Sequence, residues 1–343
     1  MRFAWADGVR IDGTSIWCDA RRCPADATAF VSHARAPRLR GAGDCRVITT
    51  ERTRLLRAVE ITPKGQAADI LVTPFGRPFA LGRLRLELLP SGHAPGAAQL
   101  YVELDEGGGQ RRRIAYCGPL NPSPGRFAEA PQVRAAEALC IDAPLAACGR
   151  KLPPRAEAEA QLLGAVERAL DDGVTPVVLA PALGAAEDVV ALLAAAALPV
   201  RVHARIAAWI AAYERVGLRV PATPGGVRKF RGTPSRGEVV VWPLEDRNAV
   251  AIGRLRGARL FAATGQALEP DAAARLRVEA AFAVADHADL PSLVAHARAA
   301  EARDVWLTSG FSDVVARAFS AAGIAAHPLG ARHPMKQLSL FAE

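Results

Sequence analysis

Three short segments of this chain place histidine in settings that could do metal chemistry, His93 beside a glycine and His287 beside a carboxylate. His33 sits in Ala29-Phe-Val-Ser-His-Ala-Arg-Ala-Pro-Arg38, His93 in Pro90-Ser-Gly-His-Ala-Pro-Gly-Ala-Ala-Gln-Leu100, and His287 between Asp286 and Asp289 in Ala285-Asp-His-Ala-Asp-Leu290. Hydrolytic metal sites are built from imidazole and carboxylate donors, because the ion must stay bound while it acidifies a water. Several donors must therefore converge on one ion. His203, His296, His327 and His333 have no spacing that suggests a ligand set. Cys18 and Cys23 with His33 imitate part of a zinc site, but no CxxC pair supports them, and buried thiols are the commoner use of such residues.

These residues need a scaffold, and the hydrophobic pattern divides the chain into two styles. Up to about residue 150, short β-like runs are separated by Gly and Pro turns: Ser15 to Cys18, Ala29 to Ser32, Arg46 to Thr49, Ala80 to Leu89, Gln99 to Leu104 and Arg112 to Tyr116. From Arg155 helix and strand alternate, which predicts a parallel sheet with covering helices. Helical stretches are expected through Leu170, over Ala185 to Ala197 and over Ile206 to Val216, with strands at Thr175 to Ala180, Glu238 to Trp242, Ala258 to Ala263 and Val278 to Ala285. A helix at Leu290 to Ala300, a strand at Asp304 to Thr308 and a helix at Ser312 to Ala322 close the pattern. The Gly- and Pro-rich stretch from Pro221 to Arg236 reads as a mobile linker or as a phosphate contact through Arg228, Lys229 and Arg231.

Composition narrows the function classes. The chain has 343 residues, half of them apolar, and can bury a sizeable core. A formal charge of +8 suits an anionic partner such as DNA or RNA. Six cysteines without a regular framework argue against a disulfide scaffold and for a reduced, cytoplasmic setting. The Ala-rich segment from Val189 to Val200 is too short to span a bilayer and is broken by Pro199, so no membrane partner is expected.

The segments around His33 and His93 resemble, respectively, the SHxHxDH and GHxxGSA motifs of the metallo-β-lactamase superfamily, in its β-CASP nuclease branch. That branch includes RNA 3′-end processing factors and ligase-associated DNA-damage exonucleases. Gly13 to Ala20 resembles the preceding strand with its acidic turn at Asp19, and later segments keep the same order: Ala115-Tyr-Cys-Gly-Pro119, Leu139-Cys-Ile-Asp-Ala143, Pro176 to Leu193, the DHAD-like Ala285 to Leu290, and Val305-Trp-Leu-Thr-Ser-Gly310. The resemblance implies an α/β fold, a four-layer αββα metallo-β-lactamase-like sandwich with an inserted small α/β domain. It implies a first part over 1–150, a β-CASP-like insertion over 151–280, a return segment over 281–328 and a flexible tail over 329–343.

It also implies that the usual metal ligands are gone. Arg35, Pro37 and Arg38 stand where the second His, the Asp and the third His would be, Pro119 at the bridging Asp and Ser309 at the late His. Two arginines there would repel a dication, and His33 and His93 read as two isolated histidines. No catalytic residue and no cofactor are expected, the residual candidates being His33, His93, Asp142, Asp286 and His287. Arg35, Arg38 and Arg40 would instead suit phosphate binding, since guanidinium groups make bidentate contacts to phosphate oxygens. An active exonuclease or phosphodiesterase with rearranged ligands, using zinc or manganese, is the alternative. A third reading is a scaffold that contacts only proteins such as a ligase, helicase or polymerase.

The chain ends in Gln337-Leu-Ser-Leu-Phe341, followed by Ala and Glu343. This is similar to the pentapeptide by which bacterial replication and repair proteins bind the DNA sliding clamp. In the peptide Gln337, Leu338, Ser339, Leu340 and Phe341, the last two would enter a preformed apolar pocket while Gln337 fixes the register by hydrogen bonding. The expected role is a catalytically degenerate, nuclease-like accessory of DNA repair or replication, recruited to the clamp by this peptide.

Overall fold

In the computed structural model residues 2–40, 45–60, 69–107 and 110–330 are described. The chain begins with a mixed sheet, β1 (Phe3–Trp5), β2 (Val9–Ile11), β3 (Ile16–Cys18), β4 (Thr28–Phe30), β5 (Arg46–Thr49) and β6 (Asp69–Val72), paired in sequence order. The first pairings are antiparallel, and those from β3 onward parallel. Between β5 and β6 lies the short helix α1 (Glu51–Arg57), started by Thr50, whose side chain accepts from the Thr53 amide.

A second sheet follows through β7 (Phe79–Leu81), β8 (Leu84–Pro90), β9 (Ala98–Gly107), β10 (Gln110–Pro119) and β11 (Ala138–Asp142). Leu84, Leu86 and Leu88 alternate onto one face of β8 and meet Val9, Ile11, Ile16, Phe30 and Ile48 from the first sheet. This apolar seam packs the two sheets face to face. Burying one such Leu or Ile is worth roughly 1.5–3 kcal/mol, so the seam fixes the strand ends whose loops carry the polar groups described below.

The chain then leaves for a third sheet. Helix α2 (Arg155–Asp171) leads to β12 (Pro176–Ala180), α3 (Ala185–Ala195), β13 (Val200–Val202), α4 (Ala204–Arg215), β14 (Arg228–Lys229), β15 (Val239–Pro243), α5 (Val250–Gly253), β16 (Arg259–Ala263), α6 (Ala272–Leu276) and β17 (Ala280–Phe282). All pairings in this sheet are parallel, in the order β14-β13-β15-β12-β16-β17. Its central strands are buried at every position, as the continuous runs PVVLA and VVVWP require of a sheet covered on both faces. Val178 and Ala180 pack against α2, α3 and α4, whereas Val177 and Leu179 face the α5 and α6 side.

After β17 the chain returns. Helix α7 (Leu290–Ala299), strand β18 (Asp304–Leu307), helix α8 (Asp313–Ser320) and strand β19 (Ala325–Pro328) add to the second sheet, where β18 pairs parallel with β11. The outer face of that sheet is covered by Leu293, Ala297, Val315 and Phe319 of the two helices. The protein is thus a mixed α/β structure, and no described helix is long and apolar enough to cross a membrane.

The Pro221 to Arg236 stretch is not a free linker, because Arg228–Lys229 forms the edge strand β14 against β13. The short strand at Ala280–Phe282 is narrower than the run from Val278 to Ala285, since Ala283 to Ala285 already turn toward Asp286.

Candidate functional site

A cavity of about 520 Å³ opens where loops of the first two sheets meet the carboxyl ends of the third. On one side are His33 and Arg35 after β4, His93 after β8, Pro119 closing β10 and Asp142 closing β11. Facing them are Ala182 after β12, Glu245 and Arg247 after β15, and Thr264 to Gln266 after β16. Carboxyl ends of parallel strands are where open α/β sheets gather ligands, because the loops there diverge and leave backbone donors free. Asp286 and His287, on the segment leading back from β17, form the floor between the two sides.

The imidazoles come together on that floor. The rings of His33 and His93 lie 5.0 Å apart edge to face, and those of His93 and His287 lie 4.7 Å apart. Potential ligand atoms of His93, Asp286 and His287 all lie within 4.8 Å of one another. His33 and His93, expected to be isolated, therefore stand in a row of three rings with His287. Sequence separation hid this, because His287 reaches the site only after the whole third sheet has been built.

Each ring is held from behind. His93 Nδ1 is 2.9 Å from the Asp286 carbonyl, and His287 Nδ1 is 2.7 Å from Asp286 Oδ1. Both partners can only accept, so both Nδ1 atoms donate. Ser32 Oγ donates to Asp19 Oδ2 at 2.5 Å, and Tyr116 Oη donates to the same oxygen at 2.9 Å. With its proton committed, Ser32 Oγ accepts from His33 Nδ1 at 2.8 Å. Asp19, which ends the β3 strand, is thus the anchor of the His33 loop.

The backbone around His93 is equally constrained. Gly92 has φ +77°, and a Cβ there would stand 2.1 Å from the Asn121 carbonyl oxygen. Gly96 O accepts from Thr50 Oγ1 at 2.7 Å and Thr53 Oγ1 at 2.8 Å, tying the loop to the first turn of α1. At the other end of α1, Arg57 donates to the carbonyls of Ala36 and Pro37, both at 2.7 Å, and to that of Ala34 at 3.3 Å.

Electrostatics separate the three rings. Burial, reinforced by His93 and His287, holds His33 well below the usual histidine range, and burial with His287 lowers His93. For His287 burial acts downward too, but the Asp286 carboxylate outweighs it and raises the pKa. Burial would raise Asp286, yet His287 and His93 together depress it far more. The floor therefore carries neutral His33 and His93 beside a His287–Asp286 pair.

Not all the expected arginines reach this cavity. Arg35 lines it, but its guanidinium donates to Glu245 at 2.7 Å and to the Ala182 carbonyl at 2.9 Å, with Glu60 at 3.8 Å. Its charge is matched, and the repulsion expected against a cation is correspondingly reduced. Arg38, Arg40 and Pro37 are exposed and lie outside the cavity lining, so the expected Arg35, Arg38 and Arg40 phosphate cluster is not assembled there. The loop turns after Arg35, and Arg57 draws the following carbonyls inward while the side chains of residues 37 and 38 face solvent. Arg228, Lys229 and Arg231 are exposed along the β14 edge, away from the cavity lining. Arg247, which the sequence pattern did not single out, lines the cavity. Gln337 to Phe341, the clamp-like peptide with Leu338, Ser339 and Leu340, lies outside the described residues.

The donors can be tested against a metal. Pro119 and Ser309 offer no ligand for a two-ion site, and the Ser309 hydroxyl is engaged as a donor to Asp142. Pro37 and Arg38 are turned away. A two-ion arrangement does not fit. Two histidines grouped with the Asp286 carboxylate, and His33 beside them, fit a single zinc-class ion better than manganese, which favours oxygen donors.

Comparisons with known proteins bear on the chain as a whole. It is 26% identical over 327 residues to a probable DNA ligase of Opitutus terrae. That alignment takes in 95% of this chain but only 31% of the relative, so the chain spans about a third of that protein's length. Among solved structures it resembles a protein of unknown function from Enterococcus faecalis, with a TM-score of 0.50 and 13% identity over 82% of this chain and 74% of that one. This likeness concerns the fold alone. No family profile matches the chain.

Proposed function

We propose that this chain is a metallo-β-lactamase-type protein of the β-CASP branch, a four-layer αββα sandwich with an inserted small α/β domain, that binds DNA in the course of strand joining. Its two-ion hydrolysis has been dismantled. The observation that carries this reading is the cleft floor, where Pro119 and Ser309 stand at expected ligand positions and Ser309 is tied to Asp142, while Arg35, Arg247 and three imidazoles remain around the opening. The likeness to part of a probable DNA ligase supports DNA as the polymer handled. It also supports work beside a ligase, and six free cysteines support a reduced, cytoplasmic setting.

The exposed cations of the β14 edge extend the DNA path beyond the cleft. Phosphate contacts by Lys and Arg release counterions, so binding should weaken steeply with salt. Fluorescence anisotropy of the full chain with nicked duplex DNA across a salt series tests this. Replacing Arg228, Lys229 and Arg231 by Gln should lower the log–log salt slope by about one for each phosphate left without its cation. A flat salt response in the unaltered chain would point to protein partners alone, and DNA cleavage abolished by His93→Ala would overturn the dismantled reading. The tail is assigned to the sliding clamp, with Leu340 and Phe341 seated in its apolar pocket.

A further inference from the structure

Three imidazoles that share a cavity floor and each have one nitrogen already satisfied make a more specific arrangement than a loose histidine cluster. His33, His93 and His287 present their Nδ1 atoms to Ser32 Oγ, the Asp286 carbonyl and Asp286 Oδ1, at 2.8, 2.9 and 2.7 Å. Those contacts select the tautomer with Nε2 as the free lone pair. Metal-binding histidines are typically oriented in this way, the second ring nitrogen donating to a carboxylate, a carbonyl or a hydroxyl. Behind His33 the pattern extends one step further, through Ser32 to Asp19 and Tyr116.

We propose that His33, His93 and His287 bind a single divalent transition-metal ion of the zinc class through Nε2, with Asp286 orienting two of the rings and the fourth coordination position facing the cavity. A phosphate oxygen or a water would occupy that position. The set differs from the two-ion ligand pattern implied by the sequence resemblance, because it uses neither the positions held by Arg35, Pro37, Arg38, Pro119 and Ser309 nor a bridging carboxylate. Imidazole donors select zinc over magnesium, calcium and manganese.

The geometry and charge allow it. Tetrahedral zinc with Zn–N bonds near 2.0–2.1 Å places its ligand atoms roughly 3.3 Å apart. The ring centroids of His33 and His93 are 5.0 Å apart and those of His93 and His287 4.7 Å, so binding requires the three rings to draw together about their side-chain bonds. Of the cations nearby, Arg35 is matched by Glu245 at 2.7 Å and Glu60 at 3.8 Å, Arg57 is turned to the Ala36 and Pro37 carbonyls, and Arg247 lines the opening. Asp142, which also lines the cavity, adds a negative charge on the same floor.

The test uses the full chain without DNA, so its outcome is independent of the DNA reading. Protein stripped with chelator, reloaded with zinc and freed of excess ion is analysed for metal by mass spectrometry. The expected result is one zinc per chain, reduced to background in His93→Ala and in His287→Ala. Ser32→Ala, which removes the hydroxyl that links His33 to Asp19, should weaken zinc binding by about 10- to 100-fold. His327→Ala, at a half-buried histidine outside the cavity, should leave the stoichiometry unchanged. Cobalt loading of the unaltered chain gives a second readout that needs no variant: intense visible bands of four-coordinate Co(II) are expected. Two ions per chain, no ion, zinc retained in both His→Ala variants, or the weak spectrum of six-coordinate cobalt would each overturn the proposal.

Discussion

Arg57→Met keeps most of the aliphatic stem at the end of α1 and removes the guanidinium that gathers the carbonyls of Ala34, Ala36 and Pro37. Ala34 and Ala36 are buried, so their carbonyls find little water once the donor is gone. The contacts to Ala36 and Pro37 are 2.7 Å and that to Ala34 is 3.3 Å, so the first two dominate. A hydrogen bond to a charged group contributes about 1.5–3 kcal/mol net. Pro37 is exposed and water can replace its partner, whereas burial of the guanidinium, which also lowers its pKa, is relieved by the substitution. The expected destabilisation is about 2–3 kcal/mol. Equilibrium urea denaturation followed by circular dichroism reads it as a lower midpoint with an unchanged slope. Arg57→Lys, with a point charge in place of a fork, should recover less than half of that stability. A shift below about 0.5 kcal/mol in Arg57→Met would refute the claim that this side chain holds the His33 loop in place.

His296 is buried on α7, and burial lowers its pKa from the ordinary 6.5 to about 4. The folded form thus binds its proton later than the unfolded form: stability is full above pH 6.5 and falls as pH drops toward 4. At about 1.36 kcal/mol per unit the decrease approaches roughly 3 kcal/mol, and His296→Leu should flatten that limb of a stability–pH curve. Gly92→Ala, forced to a positive φ and against the Asn121 carbonyl, should cost at least about 2 kcal/mol and reduce zinc uptake together with stability; a normal midpoint would contradict the packing. Leu340→Ala with Phe341→Ala should abolish capture by an immobilised sliding clamp without changing DNA affinity, and unchanged capture would remove the clamp assignment.

Much of the alternating part of the chain is legible in its sequence. The strand at Pro176–Ala180, the helices at Ala185–Ala195 and Leu290–Ala299 and the strand at Asp304–Leu307 lie where hydrophobic period and turn residues put them, because each is long or apolar enough to be specified locally. The short elements are not. Phe3–Trp5, Val9–Ile11 and Val200–Val202 are three-residue strands whose identity depends on neighbours in the sheet, and Ala138–Asp142 is a strand whose pairing partners lie in β10 and β18. Helix α1 is too short to show a period. At the site, His33 and His93 were visible as motif residues, but their joining with His287 was not, since 193 residues separate His93 from the Asp286 carbonyl that orients it. Arg57 gave no signal, because its acceptors are backbone carbonyls that any sequence would supply.

The groups on the cleft floor differ physically from those at the positions where the sequence resemblance implies ligands. Residues 37 and 38 have exposed side chains, and a substitution there disturbs no buried partner. Ser309 occupies a half-buried position but satisfies Asp142 by hydrogen bonding, so the carboxylate is not left without a donor. His33, His93 and His287 differ. Each is the partner of a buried or half-buried acceptor, and removing one ring would strand Ser32 Oγ, the Asp286 carbonyl or the Asp286 carboxylate at a desolvation cost of about 1–3 kcal/mol, more for the charged group. The three imidazoles are therefore held by the fold itself, whether or not hydrolysis takes place. A set of nitrogen donors held by the fold is what a single ion requires: folding supplies the ordering of the ligands, and binding need only supply the last rotation of the rings.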